Sequence, residues 1–488
     1  MRFPVFADLD SDQKKVFSES PRDGAILILG PPGSGKTVIA MHRALRLSNS
    51  GDKVVITMYN NTLKQYTANF ENLPPSVRVL NLNQWVKEWY RNGFDKYPPV
   101  DHSARGFKPF DWNQIRENIK NANDSILSRL NWGHLIIDEG QDFTCLMYKA
   151  LILLMRRIKN NTPSLTVFAD ENQAIHDQNC AVGDMMEVLN TSTDDSRLWR
   201  INKNYRNTLP VAIFSKHFQM LGLRAASPPN RSGLSPKIVF HDNLDSQIEQ
   251  IIKYLKAQPN KEVCVVTQGD GRFMYSVYQK LKSREGELNY HIQGYSSKKN
   301  HSLSAENIEF DMENRLTVLH FQSIKGLEFD TVFAIFQKIW FDIDNIGPTY
   351  KKLYVTSSRA REDLFFLALY NEIEDDPIRI LPSPDKGICD YMHLPFEKSL
   401  ERIDWFPTAE DYVLNEYGEL AERLALEDKN KIIEIFQYLY QRTFEKEDST
   451  TVLRDVIYES NDLSSTILDL IIECGDVDVK NIIKNKYE

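Results

Sequence analysis

The sequence predicts an α/β protein with two parallel sheets in tandem, followed by a helical C-terminal region. Short runs rich in Val and Ile alternate with longer helical patterns, as expected when strands are buried on both faces. One set of runs lies between residues 25 and 170, and a second lies between 237 and 370. The chain of 488 residues is long enough for roughly two to four domains. Two α/β domains in succession are the simplest account.

The predicted strands follow one another in two groups. The first group reads AILILG, KVVITM, RVLNL, HLIIDEG and LTVFAD, and the second reads KIVFHD, EVCVVTQ, LTVLHF, TVFAIF and DLFFLALY. The predicted domains are 1–200, with a short polar insertion at 86–130, then 201–395, with a small aperiodic excursion at 283–312. Prolines and acidic residues interrupt the pattern near its end. Residues 396–488 then form an acidic region with helical periodicity.

Composition narrows the class of protein. Hydrophobic residues make up 42% of the chain and charged residues 26%, as in folded globular proteins. No run approaches about 18 apolar residues and the first residues turn acidic early, so we expect neither a membrane span nor a signal peptide. Five scattered cysteines without a CxxC pair favour reduced, buried thiols in a cytoplasmic protein over a zinc or iron–sulfur site.

The net charge of −9 is unevenly distributed. Residues 371–488 hold 28 acidic and 13 basic residues, whereas residues 1–370 hold 40 acidic and 46 basic residues. The acidic tail therefore conceals a mildly basic body. For that reason the total charge does not argue against a polyanionic ligand.

The segment GPPGSGKT follows an apolar run and opens a helical pattern. It fits the phosphate-binding loop G-x-x-x-x-G-K-[ST] at every position. Glycines let backbone N–H groups surround phosphate oxygens, a lysine offsets the β- and γ-phosphate charge, and a threonine places its hydroxyl on Mg²⁺. The sequence therefore predicts ATP and Mg²⁺ as ligands. The loop residues are Gly30, Pro31, Pro32, Gly33, Ser34, Gly35, Lys36 and Thr37.

Two adjacent carboxylates follow a later apolar run. In HLIIDEGQDF, Asp138 and Glu139 come at the end of a predicted strand, where open α/β sheets bind their ligands. We expect Asp138 to hold Mg²⁺ through water. Glu139 would orient and deprotonate the attacking water.

These strings and several others resemble the motifs of superfamily 1 helicases of the UvrD/Rep/PcrA type, in the order of that family. DEGQD resembles motif II, and NYR and KGLEFD favour the UvrD-like branch. The other strings are LDSDQKKVF, ITMYNNT, VLNLNQW, ADENQAIH, NKNYRNT, LHFQSIKGLEFDTV and LYVTSSRARE, which span roughly residues 13–362. The resemblance implies two RecA-like domains with ATP in the cleft between them.

The resemblance also implies roles for single residues around the nucleotide. Gln13 would read the adenine and Tyr205 would stack on it. Gln173 would contact the γ-phosphate, and Glu328 matches the nucleotide-side glutamate of motif V. Arg206 and Arg359 match the two arginine fingers of the second domain. Hydrolysis would then require closure of both domains.

A second set of residues matches positions that touch nucleic acid in the family. They are Tyr59, Asn60, Asn61, Asn83, Trp85, His176, His320 and Gln322. The family usually has His at the position of Asn83, and Thr and His at those of His320 and Gln322. Trp85 and Phe321 could stack on bases, but aromatic core packing is an equal alternative for Trp85 and the stronger one for Phe321.

Together these features predict an ATP-dependent translocase or helicase on single-stranded DNA, with RNA as the alternative polymer. The family implies 3′→5′ movement, and bacterial DNA repair or phage defence is a suitable setting. A partner nuclease could dock on the second domain or on the acidic C-terminal helices. The family's accessory insertions are reduced here, so translocation is better supported than unaided unwinding.

Two rival functions come from other classes. The first is an ATP-sensing regulatory subunit that gates a partner nuclease, which the departures at Asn83, His320 and Gln322 favour. The second is a P-loop kinase acting on a small molecule. Arg206 and Arg359 match the arginine fingers of the helicase ATP cleft, and this match argues against the kinase.

Overall fold

The computed structural model describes residues 6–58, 74–102, 108–170, 180, 182–191, 196–219, 227–268, 271–295, 303, 308–310, 312–335, 346–370, 376–393 and 405. In these ranges the α-helices are α1 Ser11–Glu19, α2 Lys36–Asn49, α3 Leu82–Phe94, α4 Trp112–Lys120, α5 Asp124–Arg129, α6 Cys145–Arg157, α7 Val182–Leu189, α8 Leu209–His217, α9 Leu244–Ala257, α10 Gly271–Lys282 and α11 Ile346–Ser357. The strands are β1 Ala25–Leu29, β2 Val54–Met58, β3 Val77–Asn81, β4 His134–Ile137, β5 Ser164–Ala169, β6 Leu198–Arg200, β7 Lys237–His241, β8 Glu262–Thr267, β9 His291–Tyr295, β10 Arg315–His320, β11 Phe329–Ile335, β12 Ala360–Leu369 and β13 Asp390–Met392.

Within the described residues the strands form two sheets. The first has the order β3-β2-β4-β5-β1-β6 and the second has the order β13-β7-β12-β11-β8-β10-β9. Every pairing between neighbouring strands is parallel. The prediction of two tandem RecA-like P-loop domains with parallel sheets is confirmed.

Along the central strands, successive apolar side chains point to opposite faces of the sheet, and both faces are therefore buried. In β1, Leu27 and Leu29 pack into one hydrophobic core, whereas Ile26 and Ile28 pack into another. The strand is buried along its whole length. Because successive side chains point to opposite faces of a sheet, a strand covered by helices on both sides needs a continuous apolar run. The run AILIL meets that requirement.

The predicted insertion at 86–130 contains helices that pack on the first domain. Trp112, Ile115 and Ile119 of α4 belong to the same core as β1 and α6. Part of the predicted excursion at 283–312 forms β9, an edge strand of the second sheet. The predicted domain boundaries remain predictions. Of the predicted C-terminal region 396–488, only residue 405 is described.

The expectation of reduced cysteines is wrong for one pair. Cys145, at the start of α6, forms a disulfide with Cys180, and their Cα atoms lie 4.7 Å apart. Beside this bond, Cys180 N–H donates a hydrogen bond to Phe143 O at 2.8 Å. Cys264 and Cys389 are buried free thiols. In the described ranges, no helix combines the length and the apolar character that crossing a bilayer requires.

Candidate active site

The phosphate-binding loop connects β1 to α2 and leaves no room for side chains at its glycines. Gly33 has φ +76°, and a Cβ there would lie 2.4 Å from Asn204 Oδ1. Gly35 has φ +84°, and its Cβ would lie 2.4 Å from Gln13 Nε2. A loop of this shape exposes backbone N–H groups at the start of α2, where the helix dipole favours an anion. The cradle therefore fits a phosphate group.

Two side chains of the loop are held at the carboxyl edge of the first sheet. The Lys36 ammonium donates to Gly30 O at 2.7 Å and lies 3.5 Å from Asp170 Oδ2. The Thr37 hydroxyl donates to Asp138 Oδ2 at 2.7 Å. A hydroxyl beside a buried carboxylate is the oxygen-rich donor set that Mg²⁺ prefers. Thr37 and Asp138 would hold the ion, as the sequence predicts.

The two adjacent carboxylates follow β4, and their surroundings shift their pKa values in opposite directions. Both are buried. Burial, together with the Glu139 charge, raises the pKa of Asp138 to about 6. Burial alone would also raise the pKa of Glu139, but the charges of Lys325, Lys36 and Arg359 outweigh it and lower that pKa. Glu139 is therefore kept as a carboxylate, the form a general base requires.

Glu139 is held in place by its backbone and by one amide side chain. Its φ of +55° is in the left-handed region, which is uncommon for a residue other than glycine. The Gln141 amide donates to Glu139 Oε2 at 2.5 Å and accepts from Asp170 N–H at 2.9 Å. Gln141 thus fixes the carboxylate against β5.

Residues predicted to contact adenine lie beside the same loop. Asp10 and Gln13 cap α1 reciprocally, and the Gln13 amide donates to Ser34 O at 2.9 Å. The Tyr205 hydroxyl donates to Asp10, and Tyr205 N–H donates to Gly33 O at 2.9 Å. The sheet order therefore brings residues of both predicted domains to one side of the loop.

The second predicted domain holds a cluster of arginines around Glu328. Arg206 donates to Glu328 and Arg361 lies 3.5 Å from that carboxylate. Burial would raise the pKa of Glu328, but Arg206 and Arg361 outweigh it and lower that pKa to about 2.

Arg359 is 1% exposed, and its Nε donates to Val355 O at 3.0 Å. Burial is the main reason that the pKa of Arg359 falls to about 10, and Arg206 adds to it, while Glu139 and Asp170 oppose the fall. The charge of Arg359 therefore acts on carboxylates of the first domain.

Sequence reasoning missed several residues that join the two halves of the site. Asn204 Oδ1 accepts from the N–H groups of Arg206 and Asn207 at 3.0 and 3.2 Å. Asn207 in turn donates to Ser358 O at 3.1 Å. The asparagines on either side of Tyr-Arg were the available signal, because Asn side chains commonly bond nearby backbone groups. Lys325 and Asp142 were also missed.

The predicted nucleic-acid residues are in different surroundings. Asn83 and Gln322 are exposed, and His320 is half-buried and accepts a hydrogen bond from Gln322 N–H at 3.4 Å. Trp85 is 3% exposed and stacks on Trp89, with ring centroids 5.3 Å apart. The indole is therefore occupied by core packing, the alternative left open above. Tyr59, Asn60, Asn61, Gln173 and His176 lie outside the described residues.

A family model agrees with the phosphate-loop geometry of the first domain. The family model described as "AAA domain" matches residues 13–178. No curated protein matches the chain. One similar solved structure is the C-terminal domain of a possible DNA helicase from Lactobacillus plantarum WCFS1, at 20% identity and a TM-score of 0.24. That match covers 34% of this chain and 87% of the other. The fold and the loop geometry define a P-loop nucleotide-binding domain, and the family match over residues 13–178 agrees with it.

Proposed function

We propose that the chain is an ATP-dependent translocase or helicase of the UvrD-like branch, acting on single-stranded DNA. The observation that carries the proposal is that cations from both predicted domains act on Glu139, which lies beside the phosphate loop. Lys36 begins α2, and Asp138 and Glu139 follow β4 of the first sheet. Arg359 directly precedes β12 of the second sheet, and Arg206 donates to Glu328, which directly precedes β11 of that sheet. The charge of Arg359 acts on Glu139 across the cleft.

The chain's own residues support a simple division of roles. Thr37 and Asp138 would hold Mg²⁺, which would neutralise negative charge on the phosphates of bound ATP. Lys36 and the loop N–H groups bind the phosphates, and Glu139 accepts a proton from the attacking water. Arg206 and Arg359 stabilise negative charge only when the domains are closed. Closure and opening of a cleft between two nucleic-acid-binding domains would then move the protein along a strand.

The same proposal includes 3′→5′ movement, a setting in bacterial DNA repair or phage defence, and a partner nuclease. The direction is taken from the resemblance to the UvrD-like branch, and the acidic composition of residues 371–488 is the reason for proposing a protein partner. An ATP-sensing regulatory subunit is the second candidate. The burial of Trp85 and Phe321 favours it, since two aromatic rings that could stack on bases are used in packing.

The test is ATP turnover with and without single-stranded DNA, for the wild type and Glu139→Gln. We expect the polymer to stimulate the wild type severalfold, because closure should follow DNA binding. Glu139→Gln should lose about 10²-fold or more in turnover, as expected when a general base is removed, while still binding ATP. Wild-type turnover that DNA leaves unchanged would favour the sensor over the translocase.

A further inference from the structure

A buried ion pair joins the two domains beside the proposed catalytic base. Lys325 Nζ lies 2.5 Å from Asp142 Oδ1, and the two side chains are 4% and 3% exposed. Lys325 precedes β11 in the second sheet, and Asp142 follows β4 in the first. Charged side chains are rarely buried unless they are paired. In this pair each domain therefore supplies one of the two charges.

The chain presents Lys325 at the tip of a tight turn. Leu327 N–H donates to Ile324 O at 3.0 Å, and Gly326 between them has φ +82°, a conformation that glycine adopts without strain. Ile324 and Leu327 are 0% and 1% exposed, so they anchor the turn in the second domain. The lysine between them is left to extend into the first.

One short backbone turn joins Asp142 to Glu139. Residues Gly140–Asp142 form a single 3₁₀ turn with Glu139 at its N-cap, and Asp142 N–H donates to Glu139 O at 3.0 Å. The Tyr148 hydroxyl donates to Gly140 O at 2.6 Å and braces the middle of the turn. A shift of Asp142 would therefore be passed to Glu139 through one rigid turn.

Besides Lys325, the Asp142 carboxylate has few hydrogen-bond partners among the described residues. Its Oδ2 is buried and accepts no hydrogen bond from the described residues. Removing Lys325 would leave a buried carboxylate without its charged partner, which is strongly unfavourable. Opening of the cleft would instead let water reach both groups. The pair thus suits a contact that forms on closure and breaks on opening.

The same turn lies in sequence between residues predicted to contact nucleic acid and a residue of the predicted ATP site. His320 and Gln322 precede Lys325 by five and three residues, and Glu328, which pairs with Arg206, follows it by three. We propose that Lys325 is a positioning residue for ATP turnover, which acts across the cleft through Asp142 to hold the turn that carries Glu139. This inference rests on the proposed ATPase function and adds to it the contact through which the second domain controls the base.

The test compares Lys325→Met, Lys325→Arg, Asp142→Asn and the double variant Asp142→Asn/Lys325→Met in the full chain. Steady-state kcat and KM for ATP are measured with and without single-stranded DNA. Lys325→Met should lower kcat about tenfold or more, since small misplacements of catalytic groups are costly, while KM changes less than about threefold. Lys325→Arg should recover part of the loss because it keeps the charge.

The double variant separates a pair from two independent residues. If the two residues act as one unit, the double variant should be no slower than the slower single variant. Lys282→Met is the matched control, since Lys282 pairs with Glu285 at 2.7 Å within the second domain and should keep wild-type kinetics. Thermal unfolding checks each variant, and if Lys325→Met does not fold, Asp142→Asn and Lys325→Arg decide the question.

Two outcomes overturn the inference alone, and a third identifies failure of the proposed function. If the wild type hydrolyses ATP and Lys325→Met retains kcat within about twofold, Lys325 has no positioning role. Losses that multiply in the double variant would show two independent residues. A wild type without ATP turnover would remove the proposed function itself, and the positioning role with it.

Discussion

At the scale of single residues, the proposed Mg²⁺ ligand Asp138 has a charged form that is costly to bury. Its carboxyl group is fully buried, and its pKa is raised to about 6 by burial and by Glu139. The folded state therefore binds a proton more tightly than the unfolded state does. The stability that protonated Asp138 provides is fully present below the unfolded-state pKa of about 4. It is lost as the pH rises through the folded-state pKa of about 6.

We predict that Asp138→Asn removes this pH dependence. Without Mg²⁺ or nucleotide, the free energy of unfolding of the wild type should fall relative to the variant by about 1 kcal/mol between pH 5 and 7. The variant should also lose Mg²⁺-dependent turnover. Denaturant unfolding across this pH range provides the measurement. A difference between the two proteins that stays constant with pH would contradict the pKa assignment.

The phosphate loop was predictable residue by residue, because its backbone requirements fix both residue type and spacing. Gly33 and Gly35 have positive φ, and few other residues serve there. Lys325 was not predictable in the same way. Its partner Asp142 is 183 positions away in sequence, and only the arrangement of the two domains brings the charges together.

At the scale of elements, most strands were predictable because both faces of a parallel sheet are buried. The exceptions are edge strands. In β6 every residue is partly exposed, and β9 begins with an exposed residue and contains Gly294. Neither has the continuous apolar run that marks a central strand. Their pairing depends on neighbours that the local sequence does not reveal.

Helix α3 carries an aromatic cluster that we expect to be structural. Trp85 lies between Trp89 and Trp132, with ring centroids 5.3 and 6.1 Å away. Trp85→Ala should lower the free energy of unfolding by about 3–5 kcal/mol, whereas Tyr97→Ala, at a residue 68% exposed, should change it little. Chemical denaturation tests this. If folded Trp85→Ala instead loses DNA affinity with normal stability, the base-stacking role is restored.

At the scale of the whole molecule, the proposal depends on how the two domains share one site. Their order in the sequence was predictable from the two groups of strands, but their contacts were not. Asn204 lies against Gly33 and bonds to Asn207, which donates to Ser358 O, and Lys325 pairs with Asp142. Neither asparagine and neither member of the ion pair belongs to the predicted set. The Cys145–Cys180 disulfide was also missed, because spacing alone does not show which cysteines meet.

The most direct test of the shared site replaces Arg359 of the second domain and measures the rate of ATP hydrolysis at the phosphate loop of the first domain. We predict that Arg359→Ala lowers the single-turnover rate of ATP hydrolysis by about 10³-fold or more, the range for an arginine finger, with little change in ATP affinity. Arg284→Ala is the control, since Arg284 forms ion pairs with Glu249 and Glu287 at the surface of the same domain. A rate for Arg359→Ala equal to that of the control would contradict an ATP site completed by both domains.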